Sequence, residues 1–485
     1  MVDLPPGQRW PWLVGNSVSA ARIGETREGA EDPSPSLAES GSPIVNALHL
    51  PGYQVRFAVP AILGTCRNHL AAALTSRLPP RSATSRVRPR PTAEVRAFQG
   101  EPGIMTTSES FAPDKDLPIL SSIDAYQTFI ESEGIPIVTG FFVEDLNKLE
   151  VAPWARVGGN GAYVDLDGNG HTNDAYVCEI PPGQSLNPER HMFEKLIYVL
   201  SGRGATTITL GDREQTFEWG PGAVFSIPVN APHRHFNGSG AEPVRFVAVT
   251  TAPMVMSVFN STKFVFDNEF VFDDRFTSEK HNTGDGTLWQ STTGRHVWET
   301  NFVPDVVNFK LFSLPRRGAG GSNVTFELGY NSLAAHISEF PVGTYKKAHW
   351  HGPGAHVFVL SGQGYSLLWP KDGKREDRIR VDWKPGALVV PPNEWFHQHF
   401  NGGATPARYL ALRWGSHRFG KIAGISPNTE GADKSLEDGG SQIEYSFEDP
   451  TVLDEFEEEC IKNDAGPQMR QFFPNRKSFT VDIGA

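Results

Sequence analysis

The chain of 485 residues is poor in cysteine. Cys66, Cys178 and Cys460 lie far apart, which excludes a disulfide framework and a thiolate zinc site and suits a reducing, cytoplasmic setting. No apolar run approaches the roughly 20 residues that a helical membrane span needs, so no membrane partner is expected. Basic residues are also in deficit. Lys and Arg number 44 against 56 Asp and Glu, a formal charge of −12, whereas a nucleic-acid surface needs a basic stripe. The expected partner is a small molecule. Methionine is scarce at 6, while 48 Gly and 38 Pro suit many short strands joined by turns better than a helical bundle.

Lysine is missing altogether from residues 1–104, which carry 11 Arg and 8 acidic residues. The only methionines up to position 105 are Met1 and Met105. This shift in composition predicts that residues 1–104 are a disordered leader or upstream sequence read from an early start, dispensable to the folded protein.

What is present is a repeat. "CEIPPGQSLNPERHMFEKLIYVLSG" from Cys178 returns as "SEFPVGTYKKAHWHGPGAHVFVLSG" from Ser338, with Glu179, Pro181, Gly183 and His191 recurring 160 residues on as Glu339, Pro341, Gly343 and His351. "GPGAVFSIPVNAPHRHFNGSG" from Gly220 returns as "KPGALVVPPNEWFHQHFNGGA" from Lys384, now 164 residues on. The four extra residues fall in the charged hairpin "PKDGKREDRIR" (Pro370 to Arg380), whose Asp372-Gly373 is a turn signal. Short β-branched and aromatic runs stopped by Ser-Gly read as strands. The repeat therefore predicts two β-rich units. Helices are predicted over 121–134, with a serine cap, and over 448–466, capped by Asp449 with Pro450 in the first turn. Five carboxylates of the second helix, Glu457 among them, read as a solvated face. "DLDGNG" (Asp165 to Gly170) opens like a calcium loop, but its twelfth position is Tyr176, so a turn is expected instead.

Eight of the 15 histidines fall inside the repeated motifs. In a strand, residues i and i+2 share a face, so His349 and His351 converge while Trp350 points away. His356 follows a turn-prone "GPGA" and His397 arrives from a separate strand. Imidazoles gathered in a core are costly unless hydrogen-bonded or metal-bound, and this spacing favours a metal centre.

These residues resemble the two short motifs of the cupin superfamily. Gly343, His349, His351 and Gly362 match the first motif, with His356 in place of its glutamate. Gly386, Pro392, His397 and Asn401 match the second, with Glu394 where glycine is usual. In the first unit Gly183, His191, Gly202, Gly222, Pro228, His233 and Asn237 match, but Glu189 replaces the first histidine. Leu196 stands opposite His356, Glu194 is one residue out of phase with the family glutamate, and Lys195 occupies the phase itself.

The resemblance implies an all-β protein of two double-stranded β-helix (jelly-roll) barrels with a few flanking helices. An arm at 105–149 leads into barrel 1 at 150–253. A β-rich connector at 254–309, containing "FVFDNEFVFDDRF", joins it to barrel 2 at 310–418, and an acidic tail with a helix occupies 419–485. It implies a divalent metal, Fe(II) first and Mn(II) or Ni(II) next, held by His349, His351, His356 and His397 in barrel 2. Glu189, His191 and His233, with Glu194 as a fourth, form a second candidate set in barrel 1. His235 and His399 are ligands, donors supporting a ligand, or substrate contacts. Trp395 and Phe396 wall the pocket or pack the barrel. The leading expectation is an Fe(II) dioxygenase-like oxidoreductase acting on a small organic acid, enol or phenol. The alternatives are a non-redox decarboxylase, lyase or isomerase, and a binding protein without turnover. Cupins commonly pair, so a homo-oligomer is expected, with Phe456 and Ile461 offering an apolar edge.

Overall fold

Alternation of side chains builds the framework. The strand Gly204–Leu210 buries every second residue completely and leaves the others half-buried, as a strand facing a core on one side must. The computed structural model describes residues 86–87, 122–275, 282–352, 354–419 and 433–483. The leader expectation lies outside the described residues, apart from Arg86–Val87, a short strand paired with Val138 and Thr139.

The first repeat forms β1 (Gly159–Val164), β2 (Asp174–Ile180), β3 (Lys195–Ser201), β4 (Gly204–Leu210), β5 (Arg213–Trp219), β6 (Val224–Ile227), β7 (His233–Asn237) and β8 (Val244–Thr250). The second forms β9 (Ser322–Leu328), β10 (Leu333–Phe340), β11 (His356–Ser361), β12 (Gly364–Pro370), β13 (Ile379–Trp383), β14 (Leu388–Val389), β15 (Trp395–Phe400) and β16 (Ala407–Trp414). The larger sheet of each unit runs β1-β2-β8-β3-β6 and β9-β10-β16-β11-β14, and the smaller runs β7-β4-β5 and β15-β12-β13. The order is the same in both, so the fold is all-β with two jelly-roll barrels. The charged segment after Pro370 forms the β12–β13 hairpin. "DLDGNG" lies in the β1–β2 turn.

The stretch between the barrels is not a separate connector. His296–Thr300 joins the barrel 2 sheet beside β9, and Phe302–Val303 then pairs with β6 of barrel 1. Residues 137–143 do the reverse: Ile137–Thr139 lies beside β1, and Phe142–Val143 pairs with β14 of barrel 2. The two arms are repeats of each other, since Asp145 and Asp305 each cap the following turn through Oδ1. Leu146 N–H and Val306 N–H donate to the carbonyls of Gly386 and Gly222. The stretch between the barrels carries strands Thr287–Gln290, His296–Thr300 and Phe302–Val303, but "FVFDNEFVFDDRF" within it is not strand. That segment begins in helix Thr262–Phe266, capped by Ser261, and continues through turns to Arg275.

Helix Ala125–Ser132 is capped by the Asp124 side chain rather than by serine, because Asp124 accepts from Gln127 N–H. Helix Pro450–Lys462 has the expected Asp449 cap. Its Phe456 is fully buried on barrel 2, against Tyr345 and Phe400, so it offers no apolar edge to a second copy. Glu457 is also buried, paired with Arg470 at 2.7 Å, rather than solvated. Among the described residues no helix is long and apolar enough to cross a membrane.

One core fills barrel 1, from Trp154 through Phe225 to Phe246. Another lies between the barrels, where Val247 and Val249 of β8 meet Phe326, Phe358 and Leu412. Phe302 is 7% exposed and packs on Phe217 and Phe225 inside barrel 1. Phe302→Ala is expected to cost about 3–5 kcal/mol. Because the arms and the shared core join the barrels, thermal unfolding of this variant should remain one transition, with both barrels destabilised together. Two separated transitions in calorimetry would contradict the exchange.

Candidate metal centre

His349 and His397 face each other across a two-residue bridge. His349 N–H donates to the His397 carbonyl at 3.1 Å, and His397 N–H returns to the His349 carbonyl at 2.9 Å. His351, two residues on, lies on the same face as expected. Ring centroids are 4.2 Å apart for His349–His397 and 4.4 Å for His351–His397. One nitrogen of each ring lies within 4.8 Å of the others.

Each Nδ1 rests on a backbone carbonyl: Lys347 for His349 at 3.1 Å, Gly352 for His351 at 2.9 Å and Trp395 for His397 at 3.3 Å. A carbonyl only accepts, so Nδ1 carries the proton and each Nε2 presents a lone pair, that of His349 toward Arg317. Burial pushes all three pKa values down, His351 to about 4, so the rings are neutral at pH 7. Three neutral, pre-oriented donors fit a divalent transition metal.

His356 is not part of this centre. It opens β11 on the face of Phe358, which packs between the barrels, whereas Val357 and Val359 point into barrel 2. Its Nδ1 lies 3.2 Å from Asn173 Nδ2, and Ala355 takes the inward position. A one-residue shift in phase sends a side chain to the opposite face. His399, two residues beyond His397, has its Nδ1 held by Ser366 Oγ at 2.7 Å, and Ser366 in turn accepts from Trp383 Nε1. The same Trp–hydroxyl–His chain recurs in barrel 1 as Trp219, Thr206 and His235. Trp395 and Phe396 do not wall the site, since Trp395 packs on Phe141 and Phe396 on Trp369.

The three histidines border a cavity of about 50 Å³. A single water needs about 10–15 Å³ on this measure, so a small acid of a few heavy atoms fits. Sequence reasoning missed its other walls: Arg295, Arg317, Lys346, Arg413 and Tyr409. Asp433 accepts from Arg295 at 2.6 Å and Arg317 at 3.2 Å, and Arg413 donates to the Gly415 carbonyl at 2.7 Å. Arg317 also contacts His349 Nε2. Burial lowers Arg413 to about 10, which leaves it charged at pH 7. Burial pushes the Tyr409 phenol up, but Lys346 and the Ser338 hydroxyl outweigh it and hold it below the usual tyrosine range. Arg413 and Tyr409 share one face of β16, a period-2 signal readable only once the register is known.

Barrel 1 is built on the same bridge and filled differently. Glu189 N–H donates to the His233 carbonyl, and His233 N–H to the Glu189 carbonyl, both at 2.9 Å. The donors that gather are Glu189, His233 and His235. His191 is outside this group, its ring stacked 3.8 Å from Phe193 and its Nδ1 on the Phe193 carbonyl. Glu194 points between the barrels and accepts from Ser332 N–H at 2.8 Å and Leu333 N–H at 2.9 Å. Lys195 Nζ lies 3.0 Å from His233 Nε2 and 3.1 Å from Glu189 Oε2. The Lys195 ammonium thus bonds two of these donors at once, whereas in barrel 2 Arg317 contacts His349. The register pairs Ile180 with Val244 and Phe340 with Ala407. Tyr409 of the cavity therefore corresponds to Phe246, and Ser338 to Cys178, both in the packed core of barrel 1.

These buried neutral imidazoles set a pH dependence. The unfolded chain binds protons below about pH 6.5 that the native histidines refuse. Stability is then complete above pH 6.5 and is lost as pH falls toward 4, where His351 and His356 titrate. Each refusing histidine adds up to about 1.4 kcal/mol per pH unit. Denaturant melts of chelator-treated protein between pH 7 and 4.5 should show this steep decline, and a flat profile would contradict it.

Residues 176–250 match the family described as Cupin domain. No curated protein sequence matches the chain. Among solved structures, an oxalate decarboxylase studied for a reaction-specificity switch is 14% identical, covering 59% of this chain and 78% of that one with a TM-score of 0.38. A deletion mutant of Bacillus subtilis oxalate decarboxylase is 15% identical, covering 57% and 77% with a TM-score of 0.37. The B. subtilis oxalate decarboxylase studied for its Mn(II) centres is 15% identical, covering 59% and 78% at 0.38. The first barrel thus carries a cupin domain, and the second repeats its strand order.

Proposed function

We propose that barrel 2 binds one divalent cation through His349, His351 and His397 and converts a small carboxylate by a non-redox reaction: decarboxylation, elimination or isomerisation. The observation that carries this reading is the pairing of three converging Nε2 lone pairs with an arginine-lined cavity of about 50 Å³. A divalent ion supplies Lewis acidity toward a carbonyl or carboxylate oxygen. Arg317 and Arg413 bind and orient the carboxylate of the substrate, and their fixed charges stabilise an enolate or carbanion as it develops. With Arg317 on an anion, His349 Nε2 is free for the metal. Tyr409, poised beside Lys346, holds or returns a proton at its phenolic oxygen.

An Fe(II) dioxygenase would use the same three imidazoles. The cationic wall favours the non-redox reading because it stabilises accumulating negative charge, which oxygen insertion into a neutral phenol does not require. Mn(II) suits this chemistry, with oxygen-donor substrates completing the coordination sphere. Mn(II)-loaded protein should form product from a panel of small keto and dicarboxylic acids under strict anaerobiosis. Product formed only with oxygen consumption by the iron-loaded protein would overturn this in favour of the dioxygenase, and binding without product from any loaded form would indicate a non-catalytic protein.

His351→Ala and His397→Ala should each abolish bound metal and turnover. Arg413→Met should lower kcat/KM by about 10²-fold or more while metal content is unchanged. Glu189→Ala in barrel 1 should retain turnover but lose stability, because it strips the buried Lys195 ammonium of its partner. Turnover of wild-type magnitude in His351→Ala would contradict the assignment, and turnover lost only in Glu189→Ala would move the site to barrel 1.

A further inference from the structure

We infer that Lys195 is the resident cation of barrel 1: its ammonium occupies the place that an ion takes in barrel 2, and barrel 1 therefore binds no divalent metal. This inference stands on barrel 1 alone and does not depend on the reaction proposed for barrel 2.

Three observations carry it. The first is position. Glu189 and His233 are bridged in barrel 1 as His349 and His397 are in barrel 2. Lys195 follows His191 by the same four residues that separate Ala355 from His351, so it enters from β3 on the inward face. Its Nζ lies 3.1 Å from Glu189 Oε2 and 3.0 Å from His233 Nε2, atoms themselves 3.9 Å apart. An ion coordinated by both at metal–ligand distances of about 2.1 Å would lie within about 3 Å of Nζ. An ammonium and a divalent cation at that separation in a buried site repel strongly.

The second observation is charge. Glu189 already bonds Arg156 Nη1 at 3.0 Å through its other oxygen. One carboxylate thus faces two cations, and Lys195 is 1% exposed. Adding two further positive charges would leave the cluster uncompensated, and buried charge without a partner is costly. Burial pushes the Glu189 carboxyl up, yet Lys195 and Arg156 prevail and hold it well below the usual range.

The third is the lining. Several positions that are cationic or polar around the barrel 2 cavity are apolar in barrel 1. By the same spacing of 160 residues, Val157 stands for Arg317 and Leu186 for Lys346, both in the packed core. This packing fills the space that the cavity takes in barrel 2. His191 Nε2 and His235 Nε2, which lack a hydrogen-bond partner among the described residues, lie under the same ammonium field: burial and Lys195 both depress the basicity of His191.

The test is metal content by elemental analysis after loading the full chain with Mn(II) and desalting. The His351→Ala/His397→Ala protein should hold no tightly bound ion. Any ion retained by that variant at one per chain overturns the inference, as does a wild-type content of two. Zero in wild type as well as in the variant would overturn the function proposed for barrel 2 and leave this inference supported. As a gain-of-site control, Lys195→Glu in the same double-variant background should acquire close to one Mn(II) per chain, seen also as a rise in melting temperature with added Mn(II). If Lys195→Glu folds and still holds none, Lys195 is not what excludes the metal.

Discussion

Three Nδ1–H groups resting on backbone carbonyls determine what barrel 2 can do. Each imidazole is held in one tautomer by a backbone carbonyl, of Lys347, Gly352 or Trp395. The bridge between His349 and His397 places two of these carbonyl-anchored rings opposite each other. Without that anchoring, three neutral rings in a dry interior would turn to satisfy their own polar atoms. With it, the hydrogen-bond requirement and the metal geometry are met by the same arrangement.

The duplication supplied two copies of this scaffold and the side chains diverged. In barrel 2, Arg413 and Tyr409 of β16 and Lys346 open the interior to an anion. In barrel 1, Phe246, Leu186 and Cys178 close it, and a lysine replaces an ion. The exchanged arms and the core between the barrels bind the two units together.

Much of this was legible in the chain. The repeat announced two units, and the i, i+2 spacing of His349 and His351, with His397 from another strand, located the centre. Lys195 was visible in the phase of the motif glutamate. What failed was phase and reach. His356 was one residue out of step with the inward face, a distinction invisible until Val357 and Val359 are seen to face the core. The matching arms "FFVEDLNKL" and "NFVPDVVNF" begin before the motif, so from sequence the second reads as connector. Arg295, Arg317, Arg413 and Tyr409 come from distant segments. Only strand register brings them to one cavity, and single-residue patterns carry no such information.

The central claim is that an ion in this protein is bound by three imidazoles of barrel 2 and by no carboxylate of barrel 1. X-ray absorption spectroscopy of the Mn(II)-loaded full chain measures this directly. The account predicts a first shell with three imidazole scatterers per ion, completed by light oxygen donors that change when a small carboxylate is added. A shell with one or two imidazoles and a protein carboxylate, unaffected by such a ligand, would place the ion at Glu189 and contradict it.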